Sequence, residues 1–362
     1  MTATPAPIRV ALIGYGYAGR TFHAPLIGAV PELDLRLVAS RDAAKVQADL
    51  PGMAVVDDPL AAIAHPDIDL VVIATPNDSH APLARAAIAA GKHVVVEKPF
   101  ALDMAEAREL VALAKARGVV LSVFHNRRWD SDFLTVRQAI ASDALGTVSH
   151  FESHFDRFRP QVRERWREAA VPGSGVWFDL GPHLVDQALL LFGLPDRVMA
   201  SLARQRPGAQ TDDWAHVVLE YPTLRVVLHA GMLVAGGWHR FTVHGSKASM
   251  VKTGMDQQEA QLVAGMKPGA PGWGEDPDAA ILLTPDAPPT QHDAVAGDQR
   301  GFYRATASTI AQSSSDPVTS LQALAVMAVV EAAATSAKLR KSVEPELSDA
   351  EQASLKLQYL QA

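Results

Sequence analysis

Short apolar runs alternate with amphipathic segments along the first 125 residues of the chain. The runs are rich in β-branched residues and are bounded by Gly, Pro or Asp, which is typical of buried strands. The segments between them, such as 79–90 and 103–117, have helical spacing. The predicted strands are 8–13, 33–39, 70–74, 93–97 and 119–123. This alternation predicts a parallel sheet with helices on both faces, the doubly wound dinucleotide-binding plan.

The pattern changes after residue 125. Segments 130–142, 182–192 and 320–339 have helical spacing. Residues 262–298 are rich in Gly, Pro and Asp and predict loops, with an edge hairpin as a further option. Other segments alternate apolar and polar positions, as antiparallel strands with one covered face do. They are 148–155, 198–203, 216–221, 225–231, 240–245 and 249–253.

The chain is therefore predicted to be an α/β protein with two domains. Residues 1–125 form a Rossmann domain with a doubly wound parallel sheet. Residues 126–362 form an α+β domain for substrate binding and oligomerisation, built on a large open, mainly antiparallel sheet.

Composition and charge narrow the class of protein. The formal charge is −7, from 33 Lys and Arg against 40 Asp and Glu, so no global basic field attracts nucleic acid. The chain has no cysteine, which excludes disulfides, thiolate zinc sites and a cysteine nucleophile. Residues 1–10 lack a signal-peptide pattern, and no run approaches the roughly 20 apolar residues that span a bilayer. We expect a cytoplasmic protein without a membrane or nucleic-acid partner.

A glycine turn, G-Y-G-Y-A-G at 14–19, directly follows the first predicted strand and opens a helical stretch. A lone G-x-G-x-x-G is a weak signal because glycines also serve ordinary turns, but this placement is the one that a dinucleotide site requires. The first glycine is expected to make the tight turn, the second to let the backbone approach phosphate, and the third to allow close packing of helix on strand. The turn residues assigned to the cofactor site are Gly14, Tyr15, Gly16 and Gly19.

The residues after the second strand bear on which dinucleotide binds. In NAD sites an acidic side chain lies roughly 20 residues after the fingerprint and bonds the adenosine ribose. Here Ser40 and Arg41 take that place, with Asp42 just beyond. A hydroxyl and a guanidinium suit a 2′-phosphate, which a carboxylate there would repel. The pattern favours NADP, with NAD as the alternative if Asp42 takes the ribose and Arg41 is only a solvated loop residue.

Two more motifs end strands at the carboxyl edge of the predicted sheet, where ligands bind in open α/β folds. T-P-N at 75–77 would border the nicotinamide ribose. E-K-P at 97–99 supplies a lysine, which in such a place is by itself more often a surface residue. The cofactor candidates at this edge are Thr75, Pro76, Asn77, His80, Glu97 and Lys98.

The stretch 177–186 carries a second set of candidates, Asp179 and His183. They are four residues apart and share a helix face if the helix begins near Asp179, with Pro182 tolerated in its first turn. A carboxylate and an imidazole near Lys98 would form a proton-transfer group for an alcohol–ketone couple. An N-capping Asp and a packing His explain the same spacing. The histidines include no compact ligand set such as H-E-x-x-H, and hydride transfer needs no metal, so no metal is expected in the reaction.

Five further polar residues are candidates for substrate contact. One lies in the first helix, two follow the strand at 119–123, and two end the strand at 148–155. They are His23, Asn126, Arg127, His154 and Asp156. For His23, helix packing explains the position equally well.

Together these motifs resemble the Gfo/Idh/MocA family of sugar and polyol oxidoreductases. The resemblance covers nearly the whole chain and rests on motifs in a fixed order: the glycine turn at 14–19, T-P-N at 75–77, E-K-P at 97–99 and D-L-G-P-H-L-V-D at 179–186. Within the family, the subgroup of bacterial NADP-dependent scyllo-inositol dehydrogenases is similar at 124–130, 152–160 and 165–167.

The resemblance implies roles that spacing does not assign. Lys98, Asp179 and His183 fall on the family's catalytic positions, with His183 as general base and Lys98 as hydrogen-bond donor to the same oxygen. Trp166 and Arg167 match a pair that contacts the cofactor from the second domain. The family fold also implies that the flat face of the C-terminal sheet buries the interface of a homodimer or homotetramer.

The implied function is NADP-dependent interconversion of a cyclic polyol and its ketone, with scyllo-inositol and scyllo-inosose as the favoured pair. An aldose 1-dehydrogenase or a keto-sugar reductase is the alternative on the same scaffold. A dinucleotide-binding regulator without catalysis is the alternative of another class, and the presence of Lys98, Asp179 and His183 argues against it.

Overall fold

The computed structural model describes residues 6–312, 314 and 316–361. The chain divides into two compact units. The first contains residues 1–126, and the second begins at Arg127. The sequence predicts that everything after residue 125 forms one continuous domain, whereas segments 258–273 and 298–323 return to the first unit.

Strands in each unit form one sheet, and their bounds follow closely the apolar runs of the sequence. They are β1 Ile8–Ile13, β2 Leu33–Ala39, β3 Ala54–Val56, β4 Leu70–Ile73, β5 His93–Val96, β6 Leu121–Val123, β7 Val148–His154, β8 Arg197–Ala203, β9 Trp214–Glu220, β10 Arg225–Gly231, β11 Phe241–Gly245, β12 Ser249–Lys252, β13 Ala280–Leu283 and β14 Thr290–His292.

Helices connect and cover these strands. They are α1 Ala24–Gly28, α2 Ala43–Asp49, α3 Pro59–Ala64, α4 His80–Ala89, α5 Met104–Arg117, α6 Ser131–Ala141, α7 Val176–Phe192, α8 Gln258–Val263, α9 Arg300–Ile310, α10 Ser320–Leu339 and α11 Asp349–Gln361. Shorter helical turns lie at Gly19–His23, Asn77–Ser79, Asn126–Trp129 and Trp166–Glu168.

The sheet of the first unit is parallel throughout, in the order β3-β2-β1-β4-β5-β6. The central strand β4 is apolar and buried throughout, and β1 is so from Val10 onward, because helices cover both faces. The strand order reverses between β1 and β4, and in this fold ligands bind outside the carboxyl ends of the strands at such a reversal. The predicted doubly wound domain is thus confirmed. The edge strand β3 escapes prediction because three residues, one of them exposed, give almost no pattern.

The sheet of the second unit has the order β14-β13-β12-β11-β7-β10-β9-β8 and is antiparallel except for the pair β7 and β10. Burial alternates along its strands: in β7, Phe151 and Ser153 are buried, whereas His150, Glu152 and His154 are half-buried on the opposite face. The predicted large, mainly antiparallel sheet is confirmed, and β13 with β14 forms the edge hairpin.

Helix α10 corrects one expectation from the sequence. Among the described residues it is a helix long and apolar enough, by length and composition, to cross a membrane. The sequence nevertheless contains no uninterrupted apolar run of that length. However, 67% of its most apolar window is buried inside the protein. The indole Nε1 of Trp177 donates a hydrogen bond to the carbonyl oxygen of Val330, 3.0 Å away. The helix therefore packs as a core element of the fold.

Candidate functional site

The glycine turn after β1 is shaped by the space that side chains would occupy. Gly14 has φ +96°, and a Cβ there would lie 2.6 Å from the carbonyl oxygen of Ala74. A Cβ on Gly19 would lie 2.1 Å from the carbonyl oxygen of Gly14. Around Gly16, by contrast, a Cβ would meet nothing within 4 Å. Two glycines thus allow close packing and the third leaves its backbone open, which is the cradle that a dinucleotide pyrophosphate needs.

Lys45 is a cation next to this turn that sequence reasoning missed. Its Nζ donates a hydrogen bond to the backbone oxygen of Tyr15 at 3.1 Å. Tyr15 itself is buried, and burial together with the nearby Asp49 carboxylate raises the pKa of its phenol to about 12. The position of Lys45, one turn into the helix after β2, is the signal that could have identified it.

The segment after β2 separates the roles of its three polar residues. Asp42 caps α2, because its Oδ1 accepts a hydrogen bond from the backbone N–H of Lys45 at 3.0 Å. Arg41 is exposed and forms no ion pair with any residue that the structure describes. Ser40 Oγ accepts from the N–H of Asp42 at 3.2 Å. One carboxylate oxygen of Asp42 is therefore engaged in the helix cap, while the guanidinium of Arg41 reaches solvent.

His80 ties together the loops that follow β4 and β5. Its Nδ1 lies 2.8 Å from the carbonyl oxygen of Pro99, and its Nε2 lies 2.9 Å from that of Thr75. Burial lowers the pKa of His80, although both carbonyl contacts oppose this shift. The peptide bond between Lys98 and Pro99 is cis, and Asn77 is buried in the short turn before α4. His80, assigned to the cofactor from the sequence, thus supports the backbone of both loops.

A buried series of hydrogen-bonded side chains leads to the backbone of Lys98. The hydroxyl of Tyr303 donates to Nδ1 of His23, and Nε2 of His23 donates to Oε1 of Glu97 at 3.1 Å. Glu97 Oε2 in turn accepts from the backbone N–H of Lys98 at 3.0 Å. Burial raises the pKa of Glu97, but the combined effect of the hydrogen bond and charge of His23 and the charge of Lys98 is larger and opposite. The pKa of Glu97 therefore lies below its ordinary value.

The same hydrogen bonds fix the position of His23, which the sequence proposes as a substrate contact. Its side chain is completely buried, both ring nitrogens are engaged within the first unit, and its ring lies 4.2 Å from that of Phe124. His23 packs against Phe124 and positions Glu97, and substrate contact by His23 stays a prediction.

In the second unit, α7 begins earlier than the sequence predicts. Its first residue is Val176 and its N-cap is Gly175, so Asp179 lies inside the first turn and is not the N-cap. The backbone N–H groups of Val176 and Trp177 donate to the carbonyl oxygen and to Oδ2 of Asp212, each at 2.8 Å. Pro182 consequently lies inside the helix, beyond the first turn where the sequence places it.

Two arginines hold the carboxylate of Asp179. Nε of Arg167 lies 3.3 Å from Oδ1, and Nη1 of Arg157 lies 3.8 Å from Oδ2. The guanidinium of Arg167 also stacks over the ring of Trp166, 4.5 Å from its centroid. The two residues expected to contact the cofactor therefore form one unit beside Asp179.

The ring of Phe155, absent from the sequence candidates, lies at the centre of the site in this unit. It stacks with His183 at a centroid distance of 6.4 Å. The guanidinium groups of Arg127 and Arg157 lie 4.8 Å and 5.1 Å from its centroid. Arg127 also pairs with Asp130 at 2.8 Å and is buried. This buried aromatic beside three polar groups could be found from the alternation of β7, since Phe155 continues the buried face.

Buried ion pairs fix α7 within the second unit. Arg128 grips Asp186 through Nε and Nη2, with the shortest distance 2.6 Å. Arg240, also fully buried, donates to Oδ2 of Asp132 at 2.8 Å and to Oε1 of Gln187 at 2.8 Å. Removing one partner of such a pair leaves a buried charge uncompensated, at a cost of about 3–5 kcal/mol. The last Asp of the D-L-G-P-H-L-V-D motif is thus structural.

His154 and Asp156 lie away from His183. Side chains alternate along a strand, and Phe155 points to the His183 side, so its two neighbours point to the open face of the sheet. The structure therefore does not bring these two substrate candidates together with His183 and Asp179, and substrate contact by them stays a prediction. Asn126 is buried at the end of the first unit.

Both parts of the chain are similar to known oxidoreductases. Residues 8–125 match the oxidoreductase family model described as an NAD-binding Rossmann fold, and residues 137–344 match its C-terminal alpha/beta domain. The uncharacterized oxidoreductase YdgJ of Escherichia coli is 50% identical, covering 93% of this chain and 98% of its own. The scyllo-inositol 2-dehydrogenase (NADP(+)) IolW of Bacillus subtilis is 36% identical, covering 93% and 95%.

Solved structures agree with these matches. A crystal structure of a Klebsiella pneumoniae protein has a TM-score of 0.93 and 54% identity, covering 98% of this chain and all of that one. Both family models, the relatives and the folds point the same way. The chain belongs to the Gfo/Idh/MocA family of oxidoreductases and is a dehydrogenase or reductase that acts with a nicotinamide dinucleotide.

Proposed function

We propose that this enzyme is an NADP-dependent dehydrogenase of a cyclic polyol, with scyllo-inositol and scyllo-inosose as the favoured pair. The observation that carries the proposal is the 36% identity, over almost the whole of both chains, to an enzyme named for that substrate and cofactor. Lys98, Asp179 and His183 supply the side chains that such a reaction needs.

The proposed roles follow from the chemistry of each side chain. In oxidation, His183 accepts the proton of the substrate hydroxyl as general base. Lys98 donates a hydrogen bond to the same oxygen and stabilises the negative charge that develops there. Asp179, held by Arg157 and Arg167, orients the substrate. The nicotinamide, when bound, accepts the hydride. In the reducing direction, His183 returns the proton.

Other site residues keep supporting roles in this proposal. The glycine turn and the loop at 75–77 hold the dinucleotide, and Trp166 with Arg167 contacts it from the second unit. Asn126 contacts the polyol. Arg127, which is paired with Asp130, aligns Phe155 beside His183.

NADP is the proposed cofactor because Arg41 is exposed after β2 while Asp42 caps α2. Loss of a charge-assisted contact to the 2′-phosphate should raise the KM for NADP about ten-fold in Arg41→Ala and leave the KM for NAD nearly unchanged. Arg36→Ala, which removes an exposed arginine of β2, is the matched control. Equal losses with both dinucleotides would contradict the assignment.

The substrate is tested by initial rates on inositols, aldoses and keto-sugars with both dinucleotides. We expect the highest kcat/KM for scyllo-inositol with NADP. A higher value for an aldose or a keto-sugar would replace the polyol with that substrate class. Tight NADPH binding without turnover of any compound would instead support a regulator.

The proposal also includes a homodimer or homotetramer formed through the open face of the second sheet, in the cytoplasm. Apolar side chains on this face, Met199, Val218 and Val227, retain solvent exposure within one chain. The absence of cysteine suits a reducing compartment. Light scattering of the purified protein should give two or four times the mass of one chain, and a monomer would contradict this part.

A further inference from the structure

Histidines gather on the open face of the second sheet, outside the proposed catalytic groups. His154 at the end of β7 and His229 in β10 are register partners in the one parallel strand pair of this sheet among the described residues. Asp156 follows two residues after His154, and its carboxylate lies 3.5 Å from a nitrogen of each ring. One ligand atom from each of these three residues lies within 4.8 Å of the others.

The distances between these atoms are unlike those of hydrogen bonds. Oδ2 of Asp156 lies 3.5 Å from Nδ1 of His154, and Oδ1 lies 3.5 Å from Nε2 of His229. Two ligands of a tetrahedral zinc ion, bound at about 2.0–2.1 Å, are separated by roughly 3.4 Å. These two contacts, made by different oxygens of Asp156, are thus spaced as metal ligands are, and one ligand atom from each of the three residues lies within 4.8 Å of the others.

Two of these polar atoms are also buried without a hydrogen-bond partner among the described residues. Nδ1 of His154 and Oδ1 of Asp156 have no hydrogen-bond partner among the residues that the structure describes. The side chain of Asp156 is only 4% exposed. Buried polar atoms in native proteins are almost always bonded, and an orphaned pair aimed at one point indicates an ion or a water there.

The other nitrogen of each imidazole is already held. Nε2 of His154 lies 3.1 Å from Oε2 of Glu152, and Nδ1 of His229 lies 3.3 Å from Nδ1 of His216. Because a carboxylate only accepts, a proton on Nε2 of His154 would satisfy Glu152 and leave the lone pair of Nδ1 for a metal ion. Metal-binding histidines are typically oriented in this way, by a carboxylate or another acceptor on the distal nitrogen.

We propose that His154, Asp156 and His229 bind a divalent transition-metal ion of the zinc type, with a water molecule completing its coordination. Two imidazoles and one carboxylate favour zinc over magnesium or calcium, which prefer oxygen ligands only. The ion would join the end of β7 to β10, on the face of the sheet opposite to Phe155 and His183. The site is separate from the proposed hydride transfer.

The test is equilibrium dialysis of chelator-treated full-length protein against Zn²⁺, with the bound metal measured by elemental analysis. We expect one tightly bound ion per chain in the wild type. Asp156→Asn and His229→Gln should abolish this binding, and Glu152→Gln should weaken it about 10–100-fold. His244→Gln, which removes an exposed histidine of the same face, should leave it unchanged.

A second readout guards against misfolded variants. Co²⁺ bound to the wild type should give the intense visible bands of tetrahedral coordination, and Asp156→Asn, shown to be folded by circular dichroism, should not. Absence of Zn²⁺ uptake by the wild type, or equal uptake by Asp156→Asn and His244→Gln, would overturn the proposal.

Discussion

The glycine turn of the first unit is shaped by the absence of side chains, whereas the start of α7 in the second unit is shaped by charged ones. At the turn, a Cβ on Gly14 or Gly19 would collide with a carbonyl oxygen, and one on Gly16 would enter open space. At α7, Asp179 owes its position to Arg157 and Arg167. Steric exclusion tolerates no substitution, but an ion pair can be weakened by degrees. The two regions should therefore respond differently to mutation.

The largest expected effect separates two glycines of the same turn. Gly14→Ala forces a non-glycine residue to φ +96° and places its Cβ 2.6 Å from a carbonyl oxygen, so it should lower the free energy of unfolding by about 3 kcal/mol or more. Gly16→Ala meets no protein atom and should change stability by less than about 0.5 kcal/mol while NADPH binding is lost.

Urea unfolding and fluorescence titration with NADPH measure the two quantities on the same samples. If Gly16→Ala destabilised the fold as much as Gly14→Ala, the open space beside Gly16 would not be a cofactor cradle.

A smaller effect is expected at the arginines of the second unit. Arg167→Ala removes the nearer ion pair of Asp179, and the partly exposed pair is worth about 1 kcal/mol, so kcat/KM should fall about five- to ten-fold. The free energy of unfolding should fall by no more than about 1 kcal/mol. Steady-state kinetics check this, with the exposed Arg163→Ala as control. Indistinguishable rates for the two variants would remove Arg167 from the positioning of Asp179.

A further expected effect is a pH dependence of the free energy of unfolding, centred on His80. Burial lowers its pKa, so below about pH 6.5 the unfolded chain takes up a proton that the folded chain refuses. Stability is complete above the unfolded pKa and is lost as the pH falls toward the folded pKa, by up to about 1.4 kcal/mol per pH unit.

Urea denaturation at pH values from about 7.5 to about 5.5 measures that slope. His80→Gln, which keeps a donor for one carbonyl, should make the slope shallower by one proton. An unchanged slope in this variant would show that His80 does not contribute.

How far the sequence predicts each region follows from where the controlling atoms lie. The bounds of β1 and β2 and the roles of Gly14 and Gly16 depend on neighbours in the sequence or on rigid backbone rules, and they could be predicted. The start of α7 at Val176 depends on Asp212, which is 36 residues away. No local pattern encodes that bond.

Contacts between distant parts of the chain also explain why the sequence does not predict the surroundings of two candidate site residues. His23 is held by Tyr303, which a late segment of the chain brings back to the first unit. Asp156 meets His229 only through the pairing of β7 with β10. Strand alternation decides to which face of the sheet a side chain points. The sequence alone predicts the strand, but it does not predict which side chains of other strands lie beside it.

Lys98→Ala tests the central claim, that this chain is a hydride-transfer enzyme, most directly. Turnover of scyllo-inositol and NADPH affinity are measured on the same preparation, with Lys115→Ala in α5 as control. We expect a kcat lower by about 10²–10⁴-fold, because the developing oxyanion loses its donor, with NADPH affinity nearly unchanged. Turnover by Lys98→Ala at the wild-type rate would contradict it.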